Sequence, residues 1–175
     1  MRTRYLKYNK SNRIDLHTIS LFVANKPGVL VRIALVFSRR GFNLESLVVS
    51  PALDGRFSRM TITASGDLKT LEQIIKQINK LVDVVHAFEH TDQEAVEKEF
   101  ALIKVGITGQ ERAPFLQIVD QFDSKVVDMT AESMIIQASG HSRKLDMLVE
   151  MTEEFGIIEI VRTGKVLMTR GTGKT

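Results

Sequence analysis

Between His17 and Asn25 the chain alternates, with Ile19, Leu21 and Val23 on one side and Thr18 and Ser20 on the other. A period of two marks a strand with one buried face. The period then changes: Leu30, Ile33, Ala34 and Phe37 fall at i, i+3, i+4 and i+7, one stripe of a helix. Gly41 stands where a left-handed residue ends such a helix. Strand spacing returns from about Asn43 to Ala52, and Asp54-Gly55 supplies a hairpin turn. Ser58, Met60, Ile62 and Ala64 then alternate against Phe57, Arg59, Thr61 and Thr63. A second helix starts near Asp67, a suitable cap, and carries Leu71, Ile74, Ile75 and Ile78. Val82 to Phe88 reads as the closing strand.

The order β-α-β-β-α-β predicts an α+β, ferredoxin-like domain with an antiparallel sheet and both helices on one face. Its other face is left for a second copy or a second domain to cover. His90 to Glu99 is polar, shows no strand pattern and reads as linker or helical connector. The order then repeats, with corresponding elements about 75 to 85 residues apart. Phe100 to Ile107 is a strand, Phe115, Ile118, Val119 and Phe122 form a helical stripe, and Lys125 to Thr130 and Ser133 to Ala138 are strands. Leu145, Leu148, Met151 and Phe155 mark the next helix, and Ile157 to Val161 the last strand. The expected layout is a basic extension over 1–16, a first domain over 17–90, a linker over 91–98 and a second ferredoxin-like domain over 99–175 with a short basic tail. The repeat is one of pattern and not of residue identity, so the two folds are expected to do different jobs.

Composition narrows the chemistry more than the fold. The 175 residues are 43% hydrophobic and 26% charged, close to ordinary globular values. No apolar run reaches the roughly 18 residues needed to cross a bilayer. Met1 to Leu16 carries Arg2, Arg4, Lys7, Lys10 and Arg13 with no apolar core behind them, which argues against a secretory signal and for a cytoplasmic protein away from membranes. The absence of cysteine excludes disulfides, thiolate metal sites and cysteine nucleophiles. A net charge of +3 raises nucleic acid as a partner, but the basic residues cluster near the two ends and read as solvated arms. There is no tryptophan, and both tyrosines lie in the N-terminal extension, so base stacking has little to work with.

Catalytic and metal signatures are absent. His17, His86, His90 and His141 do not share helical spacing with one another or with a carboxylate, so no metal site and no cofactor is expected. His86 reads as a partly buried structural residue, and His141 as exposed cap chemistry. Arg170-Gly171-Thr172-Gly173-Lys174-Thr175 resembles the end of a phosphate loop, but no helix follows it in this sequence. No catalytic residue is assigned, and a metal sensor built on the second domain is disfavoured.

The segment Asn25-Lys26-Pro27-Gly28-Val29-Leu30 carries more. By itself it reads as a turn and helix start, with Asn25 as cap, Pro27 in the first turn and Gly28 giving the bend. A helix start also offers free N–H groups and partial positive charge, which suit a carboxylate. Asn43 opens the next strand, and the crossover is expected to bring it beside that first turn. Val29, Leu30 and Leu44 would then line an apolar pocket, an arrangement suited to a small amino acid.

At these residues the chain resembles a known family. Asn25 to Leu30, followed by Phe37-Ser38-Arg39-Arg40-Gly41-Phe42-Asn43-Leu44-Glu45-Ser46-Leu47, is similar to an ACT domain, an amino-acid-sensing module of biosynthetic enzymes. Ser58 to Ile62, Leu71 to Val84, Glu97 to Val105, Gly140, Lys144 to Asp146 and Arg162 to Gly164 narrow the resemblance to the small regulatory subunits of acetolactate synthase. It covers about residues 17 to 171 and leaves 1–16 without a role. The resemblance implies a homodimer in which two ACT sheets join side by side and valine, or a related branched-chain amino acid, binds at the junction. It implies that Asn25, Gly28, Val29 and Leu30 hold the carboxylate and side chain, and that Asn43 and Leu44 complete the pocket, from the facing subunit or the same one. Lys26 is not counted as a ligand residue. It further implies a non-catalytic subunit that activates a large catalytic subunit and confers feedback inhibition by valine in branched-chain amino acid biosynthesis. Thiamine diphosphate, Mg and FAD would belong to that transferase partner and not to this chain. The alternative is an ACT-type, amino-acid-responsive regulator that binds nucleic acid, although no helix-turn-helix or ribbon motif is present.

Overall fold

The alternation around Ile19 becomes the centre of a sheet. The computed structural model of the chain describes residues 16–90, 95–172 and 175, so the N-terminal extension through residue 15 and residues 91–94 of the expected linker lie outside the described residues. Strands β1 (Leu16–Ala24), β2 (Asn43–Pro51), β3 (Phe57–Ser65) and β4 (Val84–His90) form an antiparallel sheet in the order β2-β3-β1-β4. Helices α1 (Val29–Ser38) and α2 (Leu68–Ile78) supply Ile33, Phe37, Leu71, Ile74 and Ile78 to a core with Ile19, Leu21, Met60 and Ile62. Asp67 caps α2 by accepting the Thr70 N–H at 2.8 Å, as its position predicts. At the end of α1, Gly41 adopts φ +69° and the Phe42 N–H reaches back to the Phe37 carbonyl. That is a left-handed helix stop, and the buried Phe42 ring covers the last turn.

The second unit repeats the scheme with β5 (Ala95–Gly106), α3 (Arg112–Gln121), β6 (Lys125–Met129), β7 (Ser133–Gly140), α4 (Ser142–Thr152) and β8 (Ile157–Arg162). Its strand order β6-β7-β5-β8 matches that of the first sheet. Phe115, Ile118, Val119 and Phe122 are all buried against Ile103, Met134 and Leu148, as the helical stripe predicts. Both units are thus ferredoxin-like.

Four expectations need correction. The i, i+3, i+4, i+7 spacing puts Leu30 on the core stripe of α1, but Val29 takes that position and Leu30 is 40% exposed. Met151 is likewise exposed on α4, where Val149 and Thr152 turn inward instead. Residues 95–98 belong to β5 and not to a linker: Ala95, Glu97 and Glu99 form its buried side. The two carboxylates hide the alternation from a hydropathy reading. Last, residues 164–175 group with the first unit (1–96) and not with the second (97–163).

That returning segment crosses the sheet face opposite the helices. Lys165 Nζ donates to Thr18 Oγ1 at 3.3 Å. Gly164 (φ +82°) lies so close to β2 that a Cβ there would stand 2.4 Å from the Ser46 Cβ. The face expected to await a partner is therefore covered in part by the chain's own end. It also holds a column of stacked rings, Phe57, Phe22, His86 and Phe88, which accounts for His86 as a structural residue.

Candidate functional site

The turn before α1 is built from its glycine. Gly28 occupies the cap position at φ +84° and ψ −12°, a conformation that costs an L-residue about 1–2 kcal/mol. Asn25 does not cap the helix. Its Nδ2 donates to the Gly55 carbonyl at 2.9 Å, tying the turn to the β2–β3 hairpin, and its backbone N–H reaches the Arg56 carbonyl at 2.8 Å. No side chain caps α1. The first helical bond runs from the Arg32 N–H to the Gly28 carbonyl, so the N–H groups of Val29, Leu30 and Val31 precede the ladder. Val29 commits its side chain to the core and offers only backbone, whereas Leu30 presents its side chain outside.

Two cations flank this turn and share one buried carboxylate. Lys26 Nζ lies 2.6 Å from Asp83, and Arg32 bonds the other oxygen of the same group. The Lys26 contact, then Arg32, hold the Asp83 carboxyl below the usual carboxylate range, against the opposing effect of burial. Sequence reasoning missed this anchor, because nothing local connects Asp83 to a turn more than fifty residues earlier.

Asn43 and Leu44 lie elsewhere. Leu16 and Asn43 both pair with Ser65, whereas Ala24 pairs with Phe57 and Pro51 with the neighbouring Ser58. Strands β1 and β2 therefore run parallel, and Asn43 opens β2 at the end of the sheet where β1 begins. A nine-residue strand spans about 30 Å, so within one chain Asn43 is far from Gly28. The expectation that the crossover brings them together is wrong for a physical reason: α1 returns the chain to the starting end before β2 can run parallel to β1. There Asn43 and Leu44 line an open cleft of about 480 Å³ with Ala34, Phe37 and Ser38. Asn43 Nδ2 donates to Glu45 Oε1 at 2.7 Å. Glu45 also escaped the sequence reading, although an acid two positions along a strand was a signal that it shares Asn43's side.

Among the described residues there is no cluster of three or more His, Asp or Glu able to hold a metal ion, and no helix is long and apolar enough to cross a membrane. His17 instead pairs with Glu89 at 2.5 Å, and His141 caps α4 by accepting the Arg143 N–H at 3.4 Å.

Comparison with known proteins gives this geometry its setting. Residues 19–86 match the model of the AHAS small subunit-like ACT domain, and residues 98–171 match the model of the small subunit of acetolactate synthase. The probable acetolactate synthase small subunit of Archaeoglobus fulgidus is 42% identical over 90% of this chain and 99% of its own length. The chain belongs to the acetolactate synthase small-subunit family. Another member, the acetolactate synthase small subunit of Mycobacterium bovis, is 44% identical over 89% of this chain and 92% of its own. The crystal structure of the small subunit from Thermotoga maritima superposes with a TM-score of 0.81 at 38% identity, covering 91% of this chain and all of that one. The two family models fall on the two repeats, so this member joins an ACT domain to a second ferredoxin-like domain, and the divided polar groups lie in the ACT domain.

Proposed function

We propose that this chain is the regulatory subunit of an acetolactate synthase: it binds the catalytic subunit, raises its activity and makes it sensitive to valine or a related branched-chain amino acid. The reaction and its thiamine diphosphate, Mg and FAD belong to the partner, and the complex works in the cytoplasm in branched-chain amino acid biosynthesis. Membership of the small-subunit family supports the regulatory role.

One observation carries the ligand reading. Asn25 and Gly28 to Leu30 lie at one end of the ACT sheet, Asn43 and Leu44 at the other, and β2 lies at the edge of the strand order. If β2 paired antiparallel with β2 of a second copy, Asn43 of that copy would stand opposite Pro51, at the end where α1 begins. Each dimer would then assemble two identical sites, as an isologous interface requires. The uncapped N–H groups at the start of α1 would take the ligand carboxylate. Leu30 would meet its aliphatic side chain, and Asn43 and Leu44 of the second copy would close the pocket. A ligand held by two copies favours the paired arrangement over others, which is the condition for it to shift an equilibrium. A coupling of about 1–3 kcal/mol would change partner activity about 5- to 150-fold.

The test is to mix the chain with its cognate catalytic subunit and assay pyruvate condensation with and without valine. Stimulation by the chain and its loss on adding valine are expected. No stimulation and no effect of valine would remove the proposal. Sedimentation of the chain alone should show a dimer that valine stabilises.

A further inference from the structure

The outer side of the two helices in the first unit carries almost one sign of charge. Residues 29–40 and 68–80 contain Arg32, Arg39, Arg40, Lys69, Lys76 and Lys80 but a single carboxylate, Glu72. Lys69 and Lys76 lie two turns apart on α2, on the side away from the buried Leu71, Ile74 and Ile78, and Lys80 follows one turn later; all three are exposed. On α1 the outward positions are Val31 and Leu35, 61% and 46% exposed, with the exposed Arg39 one turn beyond. Arg40 donates to Gln73 Oε1, which joins the two helices across this side. Arg32 spends its charge on Asp83, but Arg39, Lys69, Lys76 and Lys80 have no carboxylate partner among the described residues. A helix face that serves only to meet water mixes the two signs, because neighbouring cations repel one another.

We propose that this helical face is where the catalytic subunit docks, against a surface of that subunit with carboxylates around an apolar depression. The inference rests on the catalytic partner of the reading above and is independent of the ligand site. Val31 and Leu35 form an apolar centre and the cations a charged rim, which is the anatomy of a protein–protein interface. The unpaired cations draw an acidic partner in and set its orientation. A nucleic-acid backbone would use the same cations but has no use for the aliphatic pair. It would also find nothing to stack on, since the sole aromatic ring of these two stretches, Phe37, is buried. Docking on the helices leaves the β2 edge clear for a second copy.

Binding of the full chain to its immobilised cognate catalytic subunit tests this. Lys69→Glu, Lys76→Glu and Lys80→Glu together should weaken binding about 100-fold or more. The same three positions changed to Gln should weaken it about tenfold, and that variant stands in if the first fails to fold. Leu35→Ser should cost about fivefold. Raising salt from about 0.05 to about 0.5 M should weaken the unaltered chain about tenfold or more, and the triple Gln variant less steeply. Lys98→Glu, Lys125→Glu and Arg143→Glu together, in the second unit, change the net charge equally and should leave binding within about twofold. Triple variants that bind as the unaltered chain does, or an equal loss from the second-unit control, overturn the proposal while the regulatory reading stands. A DNA duplex of about 20 base pairs should bind about 100-fold more weakly than the catalytic subunit, and tighter binding of the duplex overturns the proposal in favour of a nucleic acid. Failure of the unaltered chain to bind the catalytic subunit removes this inference together with the reading it rests on.

Discussion

The two repeats share a strand order and differ where a ligand would enter. In the first, the helix after β1 starts at a left-handed glycine with no side-chain cap, and the next strand opens with Asn43. In the second, the equivalent helix follows Glu111, whose carboxylate accepts from the Thr108 N–H at 3.1 Å and its hydroxyl at 3.0 Å, and the next strand opens with Lys125. An anion is already built into the start of α3, so a second one has no reason to settle there. The second unit spends its polar groups inside instead. Arg162 grips both oxygens of Glu99 at 2.7 Å and reaches Asp146 at 2.6 Å. Burial alone would lower the Arg162 pKa, but the bonds to Glu99 and Asp146 outweigh it and hold the pKa above the ordinary arginine value. One fold thus leaves a helix start open, and the other closes it and invests in an internal ion network.

The contrast can be broken most strongly at Gly28. Gly28→Asp puts a carboxylate and a strained left-handed conformation at the open helix start, and valine binding by calorimetry should fall at least 100-fold. Glu111→Gln, the control in the second unit, should leave valine affinity unchanged. Arg162→Ala strands a buried carboxylate, and chemical denaturation should show a loss of about 3 kcal/mol confined to the second unit. Gly164→Ala adds a Cβ against Ser46 at positive φ, and should lower stability of the first unit by about 2 kcal/mol in the same measurement.

The smallest effect is that of acid on Asp83. Its folded pKa is depressed, so its contribution to stability is present above the ordinary carboxylate value and is lost as pH falls through the lower folded one. Melting temperatures between pH 7 and pH 3 should show Asp83→Asn losing less on acidification than the unaltered chain. Parallel curves would mean that Lys26 and Arg32 do not anchor the turn through Asp83.

Much of the fold was legible because most strands and helices carry ordinary periodicity. Ile19, Leu21 and Val23 announce β1, and Phe115 to Phe122 announce α3. The failures have particular causes. Glu97 and Glu99 sit on the buried side of β5, and the partner that makes burial of Glu99 tolerable, Arg162, lies 63 residues later. A hydropathy pattern cannot register a charge that is neutralised from so far away. At α1 nearly every residue is apolar, so the stripe could be drawn through Leu30 or Val29, and only the position of the left-handed Gly28 decides it. The residue types of the candidate site were readable, but their separation was not, since adjacency in a crossover motif says nothing about which end of the sheet each loop occupies.

The segment that returns to the first unit has a consequence for how the protein comes into being. A chain emerging from the ribosome normally completes its N-terminal domain first. Here the strip that covers Thr18 and Ser46 is made only after the whole second domain. The ACT domain cannot take its final form until its neighbour in the sequence has been synthesised. For the same reason a gene cut near residue 96 yields a first domain with part of one face stripped, and swapping such halves between relatives would exchange more than an ACT domain.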